Sequence, residues 1–564
     1  MTSPKLDRLV LLAVALVTAG CESPDDDAPA ESPARDDRPN IVLVLTDDQR
    51  WDTLSAMPIV LDRLVERGVH FRNAFVTIAE CCPSRASLLS GGFHVQQTGV
   101  KSNAALNGAM SHFNDRDSLP LHLQRSGFAT GLVGRYLIGH EAPYVPPGWT
   151  SFVVNDSAAQ ASDWHRLRKI TVGSSREKPE GGHVRSVDQY ITDFQRDEAA
   201  DFIRSYADRP FFLVLSTFAP HSPRIPSEED LEAFADYAYS GRSLGEEDLS
   251  DKPRWIRERA LAIGASPCGA DVPVKDRQAL QAVDRAVGAV LDTLEELDLD
   301  GRTYVFFTSD NGLTYGEHRL RCNKGLAYEE SIRVPLVVRG PGVKRGRSEA
   351  RQVAMNLDVA ATIAELANLP PRGDGRSLVP LLHGKDPAWR GEILLESYGH
   401  PALTTGRVPP VWAGLRVAED GEVWKYVEHA GGDLELYDLV KDPYELESLH
   451  ADTRHAERIE TFRARLADQS GLAITSFEPP PARAGERYRF ELAAWGGTPP
   501  YTWDLVEGKL PRGLTLDGAS GRVTGTPART GSSEVRIRVT DSAIAAYSGK
   551  AQEFLHEFLF EVGE

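Results

Sequence analysis

The chain has 564 residues, 41% apolar and 8% aromatic, enough to fill ordinary cores and more than one core usually holds. Its 82 acidic residues outnumber 63 basic ones, giving a net charge of −19. This excludes nucleic acid as a partner, because phosphate backbones are held by clusters of Lys and Arg that this sequence lacks. With only five cysteines, at 21, 81, 82, 268 and 322, the chain has no disulfide framework, so stability has to come from burial.

The N-terminus reads as an export signal. Lys5 and Arg8 precede an apolar run, Leu9 to Val17, too short to stay in a bilayer as a spanning helix. Thr18-Ala19-Gly20 then leads to Cys21, which resembles a bacterial lipobox with Thr18 in place of an aliphatic residue. The segment 1–21 is therefore expected to be a signal peptide ending in a lipidated Cys21, leaving a periplasmic or cell-surface lipoprotein whose only link to the membrane is that anchor. Residues 22–38, rich in Asp, Glu, Pro and Ala, have little to bury and read as a flexible acidic tether.

Ile41 to Leu45 is a continuous apolar run that stops at Thr46-Asp47-Asp48, as a strand buried on both faces would. Ile59, Leu61, Leu64 and Val65 predict a helix over 58–67. Two more apolar runs repeat the strand pattern, Phe211–Leu215 leading to Ala219-Pro220-His221 and Tyr304–Phe307 leading to Ser309-Asp310-Asn311. An amphipathic helix is expected between them, Leu280 to Leu297. This alternation predicts an α/β fold over 39–390, a mostly parallel sheet covered by helices. Asp47, Asp48, His221, Asp310 and Asn311 all fall just past a strand, where open α/β sheets bind ligands. One such pair is what any strand-ending turn would show; recurrence at three distant strand ends predicts one shared site.

Beyond residue 390 short strands take over: Ile393–Glu396, Ala413–Val417, Val423–Glu428 and Leu434–Asp438, then a helix to about Leu466. These predict a small antiparallel subdomain over 391–470. In 471–564, Pro-Pro pairs, Gly-rich turns and alternating strands resemble the immunoglobulin-like modules appended to bacterial surface proteins and predict a β-sandwich. With no aromatic platform evident, a spacer is expected there in preference to a glycan binder.

Cys81-Cys82-Pro83-Ser84-Arg85 followed by Gly91 contains every fixed position of the pattern C-x-P-S-R-x-x-x-x-x-G. On this segment, residues 39–466 resemble type I sulfatases of the alkaline phosphatase superfamily. The resemblance implies hydrolysis of sulfate esters by a formylglycine that a formylglycine-generating enzyme makes from Cys81. Pro83 and Ser84 suit the first turn of a helix whose N-terminus would favour an anionic substrate. The resemblance also makes Asp47, Asp48, Asp310, Asn311 and residue 81 metal ligands, an oxygen-rich set suited to Ca²⁺ or Mg²⁺. It gives sulfate and nucleophile contacts to Arg85 and Lys324, and places His221 near the leaving group.

In Gly134-Arg135-Tyr136-Leu137, Arg135 stands where the family usually has Lys, and Leu137 where many arylsulfatases carry His. Arg135 keeps the charge but as a planar fork. Cys82, Pro147-Gly148-Trp149, Tyr190–Asp193 and Pro220–Pro223 resemble the N-acetylglucosamine-6-sulfatase branch. A sulfated glucosamine-like glycan is thus the expected substrate. Arylsulfatase, phosphonate or phosphodiester hydrolase and non-catalytic glycan-binding lipoprotein are the alternatives. The sequence also leaves open a Cys268–Cys322 bridge, a vicinal Cys81–Cys82 disulfide and a thiol nucleophile at Cys81.

Overall fold

A computed structural model describes residues 36–104, 108–155, 168–174, 181–262, 269, 271–399, 411–476, 479–544 and 549–564. The signal segment, Cys21, nearly all of the tether and Cys268 lie outside the described residues. Cys322 is disulfide-bonded, whereas Cys81 and Cys82 are free thiols, so no vicinal disulfide forms. Among the described residues no helix is long and apolar enough to cross a membrane.

The fold is an α/β layer built on a ten-stranded sheet. At its centre lie five parallel strands, in the order Thr303–Ser309, Asn40–Asp47, Phe211–Pro220, Ala129–Gly134 and Ser151–Asn155; antiparallel strands extend the sheet on both sides. The apolar run at 41–45 divides between two cores. Ile41, Leu43 and Leu45 face the Cys81–Leu89 and Met355–Leu366 helices, while Val42 and Val44 face Ile191–Ser205 and Val272–Glu296. Each such side chain contributes about 1.5–3 kcal/mol on burial, which is why strands with no solvent-facing side are stable here, as Phe211–Pro220 and Thr303–Ser309 also are.

The helix expected at 58–67 is a single α turn, Pro58–Val60, that widens into a π turn, Leu61–Val65, closed by Glu66 N donating to Leu61 O (3.0 Å). The helix expected from Leu280 begins earlier, at Val272; Pro273 is compatible with its first turn and does not interrupt it.

A four-stranded antiparallel sheet follows, Glu392–Ser397, Trp412–Glu419, Glu422–His429 and Leu434–Asp438. The Ala456–Ala467 helix lays Ile459, Phe462 and Leu466 on it. The last segment is a sandwich of a four-stranded and a three-stranded sheet around Trp503, Val523, Ile537 and Phe558. Its larger sheet turns a ladder of ion pairs to solvent, Arg536 with Glu507 and Glu557 and Arg538 with Asp504 and Glu553. The sandwich core does not stop at the sandwich: Ile78, Val95, Tyr398 and Val411 belong to the same apolar cluster.

Candidate active site

The carboxyl ends of the three central strands meet at one point. Asp47 is the last residue of its strand, and Asp48 follows with φ 64°, a left-handed conformation that Asp tolerates better than most side chains. That turn is held by Asp48 N donating to Asp310 Oδ1 (3.2 Å) and by Gln49 N donating to Ser309 Oγ (2.9 Å). Across the cleft, the Cys81–Leu89 helix points its N-terminus at the same place, with Cys81 Sγ 3.5 Å from Asp47 Oδ1.

Three cations neutralise the three carboxylates. Arg85 donates through Nε to Asp310 (2.7 Å), through one terminal nitrogen to Asp47 (3.3 Å), and through the other to Ser216 Oγ (2.6 Å) and Arg135 O (3.1 Å). Arg135 donates to Asp47 Oδ2 and lies over the Phe218 ring. Lys324 Nζ bridges Asp48 Oδ1 (2.5 Å) and Cys81 Sγ (2.7 Å). Arg135 reaches the site because Gly134, at φ 115°, passes close to the neighbouring strand: a Cβ there would lie 1.8 Å from Ser216 O. Leu137 faces the core and brings no polar group to the site.

His221 is partly open to solvent, its side chain 23% exposed, with Nε2 3.7 Å from Asp48 Oδ2. Its Nδ1 lies 2.7 Å from Ser222 O, and since a carbonyl only accepts, Nδ1 carries the proton in the neutral ring. Nε2 then turns a lone pair to the site. Burial lowers the His221 pKa, against the pull of Asp48 and Asp47, so the neutral ring is favoured.

The charges differ by environment. Burial raises the Asp48 carboxyl, but Lys324 and His221 outweigh it and hold the pKa below the usual carboxylate range. Asp310 is pushed up to about 6, chiefly by burial and then by Asp47, despite Arg85. Burial drives the Cys81 thiol well above its ordinary value, which disfavours a thiolate nucleophile there.

The donor set fits a cation. Asp47, Asp48, Cys81 and His221 each offer a ligand atom, and those atoms all lie within 4.8 Å of one another. Asn311 adds a buried Oδ1 with no hydrogen-bond partner, because its Nδ2 is spent on Asp48 Oδ1 (2.7 Å) and Gly312 O (2.9 Å). Two carboxylates and an amide oxygen suit a hard divalent ion. Asp310 stands beside this group, its oxygens accepting from Asp48 N and from Arg85 Nε.

The structure therefore brings together every residue singled out for the site: Asp47, Asp48, Cys81, Arg85, Arg135, His221, Asp310, Asn311 and Lys324. Sequence reading missed three. Ser216 lies past the apolar run at 211–215, in a strand that continues to Pro220. Glu80 and Asn103 close a clamp on the helix: Asn103 N donates to Glu80 Oε1 (2.8 Å) and Cys82 N to Asn103 Oδ1 (2.8 Å). Only the position of Glu80 directly before Cys81 offered a signal.

Three family profiles match the chain: Sulfatase over residues 39–369, the C-terminal region of N-sulphoglucosamine sulphohydrolase over 316–471, and an Ig domain over 472–551. A Caenorhabditis elegans extracellular sulfatase homologue is 30% identical over 396 residues, covering 65% of this chain; the chain spans only 54% of that relative. Human N-acetylglucosamine-6-sulfatase is 32% identical over 400 residues, 66% of this chain and 70% of the human protein. A solved structure in complex with its substrate, D-glucosamine-2-N,6-O-disulfate, superposes with a TM-score of 0.64 at 23% identity, covering 76% of this chain and 97% of the other.

Proposed function

This chain belongs to the sulfatase family, and on that premise we propose that it is a sulfuric ester hydrolase releasing sulfate from a sulfated, glucosamine-6-sulfate-like carbohydrate. The observation that carries this reading is the convergence of Asp47/Asp48, His221 and Asp310/Asn311 on Cys81 at a helix N-terminus. The N-acetylglucosamine-6-sulfatase relative supports the substrate class.

Residue 81, as formylglycine made by a formylglycine-generating enzyme, would supply a hydrated aldehyde as nucleophile, and a bound Ca²⁺ or Mg²⁺ would supply positive charge beside it. Asp47, Asp48, Asp310 and Asn311 would hold the cation, with residue 81 as a further ligand. Arg85 fixes Asp310 and Asp47 in place, so the carboxylates need no reorganisation during turnover. Lys324 and Arg135 put positive charge where the sulfate oxygens would gather; the buried Nε–H of Arg135, which has no partner, is a free donor toward them. His221, whose Nε2 lone pair faces the site, would take up a proton there and pass it to the departing alcohol oxygen.

Catalysis is assigned to 39–390, with 391–470 packed beside it and 471–564 appended. We also propose an exported, lipid-anchored protein held at Cys21; the extracellular relative supports export.

The test is release of inorganic sulfate from N-acetylglucosamine-6-sulfate, an aryl sulfate and an aryl phosphodiester, with the mass of the Cys81 peptide read in the same preparation. Faster turnover of the phosphodiester would reassign the reaction. Full activity with an unmodified Cys81 thiol would overturn the nucleophile.

A further inference from the structure

We infer that the C-terminal β-sandwich is a positioning element of the active centre, acting through Lys101 and Asn103 on the helix that carries Cys81. The catalytic half of this inference rests on the sulfatase reading; the mechanical half does not.

Lys101 is 2% exposed, an unusual place for an ammonium group. Its Nζ donates to Leu472 O (2.7 Å), at the start of the sandwich segment. Two rings surround it, Tyr398, just past the Glu392–Ser397 strand, at 4.8 Å and Phe554 of the sandwich at 5.8 Å. Burial lowers its pKa to about 8, with Glu396, Asp541 and Glu553 opposing the shift. Beside it Glu396 accepts from Gly471 N (2.6 Å) and Tyr398 OH (3.0 Å) and faces His94 Nδ1 at 3.2 Å. Gln96 donates to Gln469 O (2.9 Å), and Gln552 of the sandwich accepts from Leu472 N (3.1 Å). Gly471 is needed for this approach, since a Cβ there would meet Tyr398 OH at 2.1 Å.

The contacts run along one short segment, 94–103, and that segment ends in the clamp. Two residues past Lys101, Asn103 accepts from Cys82 N and donates its own N–H to Glu80 Oε1, each at 2.8 Å. On the other side of the nucleophile, Ile78 is part of the sandwich's apolar core and pairs with Glu396 as an isolated bridge. Residue 81 is thus bracketed by Ile78, which packs in the sandwich core, and by Asn103, two residues from the lysine that reaches the sandwich. A spacer would need neither the shared core nor a buried cation, and the cation costs free energy to desolvate. Reactions of this kind fall steeply when a nucleophile is displaced by a fraction of an ångström to an ångström.

The test uses the full chain with Lys101→Met, which keeps the volume and removes the donor, and with Gln552→Ala, a milder change inside the sandwich. Backbone hydrogen exchange is read on peptides covering 76–90 and 471–475, with kcat and KM on an aryl sulfate and the formylglycine content by mass. Both variants are expected to exchange about tenfold faster at Cys82 N as well as near Leu472. The kcat is expected to fall about tenfold, with KM within twofold and formylglycine content unchanged. Faster exchange at 471–475 with unaltered exchange at 76–90 would overturn the inference, as would unchanged kcat in both variants. A wild-type chain that released no sulfate would sink the functional reading alone, because exchange still reports on the clamp.

Discussion

Arg85 offers the sharpest test of how the site is held. Four of its five N–H groups are committed, to Asp310, Asp47, Ser216 and the Arg135 carbonyl, and the side chain is 2% exposed. Arg85→Met keeps most of the buried volume but leaves two carboxylates without their guanidinium. Breaking a buried ion pair in this way costs about 3–5 kcal/mol. Arg85→Lys keeps the charge but cannot reproduce a fork that spans Asp310 and Ser216, so at least one charged hydrogen bond is lost, about 1.5–3 kcal/mol. Unfolding entropy near 2.1 cal/mol/K per residue makes a body of this size lose about 1 °C in Tm per kcal/mol. Expected shifts are thus about 3–5 °C for Met and about 1–3 °C for Lys, measured by calorimetry at fixed pH and calcium, with kcat/KM lower in both. A Met variant that melts within 1 °C of wild type and turns over normally would refute the claim that Arg85 preorganises the carboxylates.

Burial raises Glu80 from 4.5 to about 7, so the folded chain binds its proton more tightly than the unfolded chain. That stabilisation is complete below about pH 4.5 and is lost as pH rises through about 7. Glu80→Gln retains the acceptor for Asn103 N and removes the titration; relative to wild type it should gain up to about 3 kcal/mol between pH 4.5 and pH 8. Equal denaturation differences at the two pH values would contradict this. Gly134→Ala, which sets a methyl 1.8 Å from Ser216 O at φ 115°, should displace Arg135 and lower kcat/KM by about a hundredfold; a crystal structure with Arg135 still on Asp47 would count against it. His221→Gln should slow sugar sulfates by about 10²–10⁴-fold and aryl sulfates with acidic phenols far less; equal losses on both substrates would argue against protonation of the leaving group.

Much of the site could be read in advance because its chemistry sits at places that patterning marks. Asp47/Asp48, His221 and Asp310/Asn311 follow unbroken apolar runs, and a run buried on both faces declares its strand and its end. Cys81 and Arg85 lie in a contiguous signature, so their spacing on one helix is local information. What escaped was carried by distance. Asn103 meets Cys82 from twenty-one residues away, beyond the end of the Cys81–Leu89 helix, with no periodicity linking the two. Ser216 looks like an ordinary strand residue until Arg85 arrives from 131 positions away. Lys101 reads as a surface lysine, and only packing against a segment 371 residues later makes it a buried one. The sandwich was recognisable from its turns and alternation; that its core would take in Ile78 and Tyr398 was not, because shared cores leave no mark in either partner's pattern.

Cys81 has no solvent-exposed surface at all, and Cys82 has 1%. A side chain enclosed to that degree is beyond the reach of any second protein, whatever its affinity. If residue 81 is to be altered by another enzyme, that encounter has a deadline: it must come while the 76–90 stretch is still unbuilt, before the Cys81–Leu89 helix docks beneath Asp47. For as long as that stretch stays folded, the chain keeps whichever form residue 81 has at that moment. A population of chains would then carry a mixture of altered and unaltered molecules, set by how fast that stretch folds against how fast residue 81 is altered.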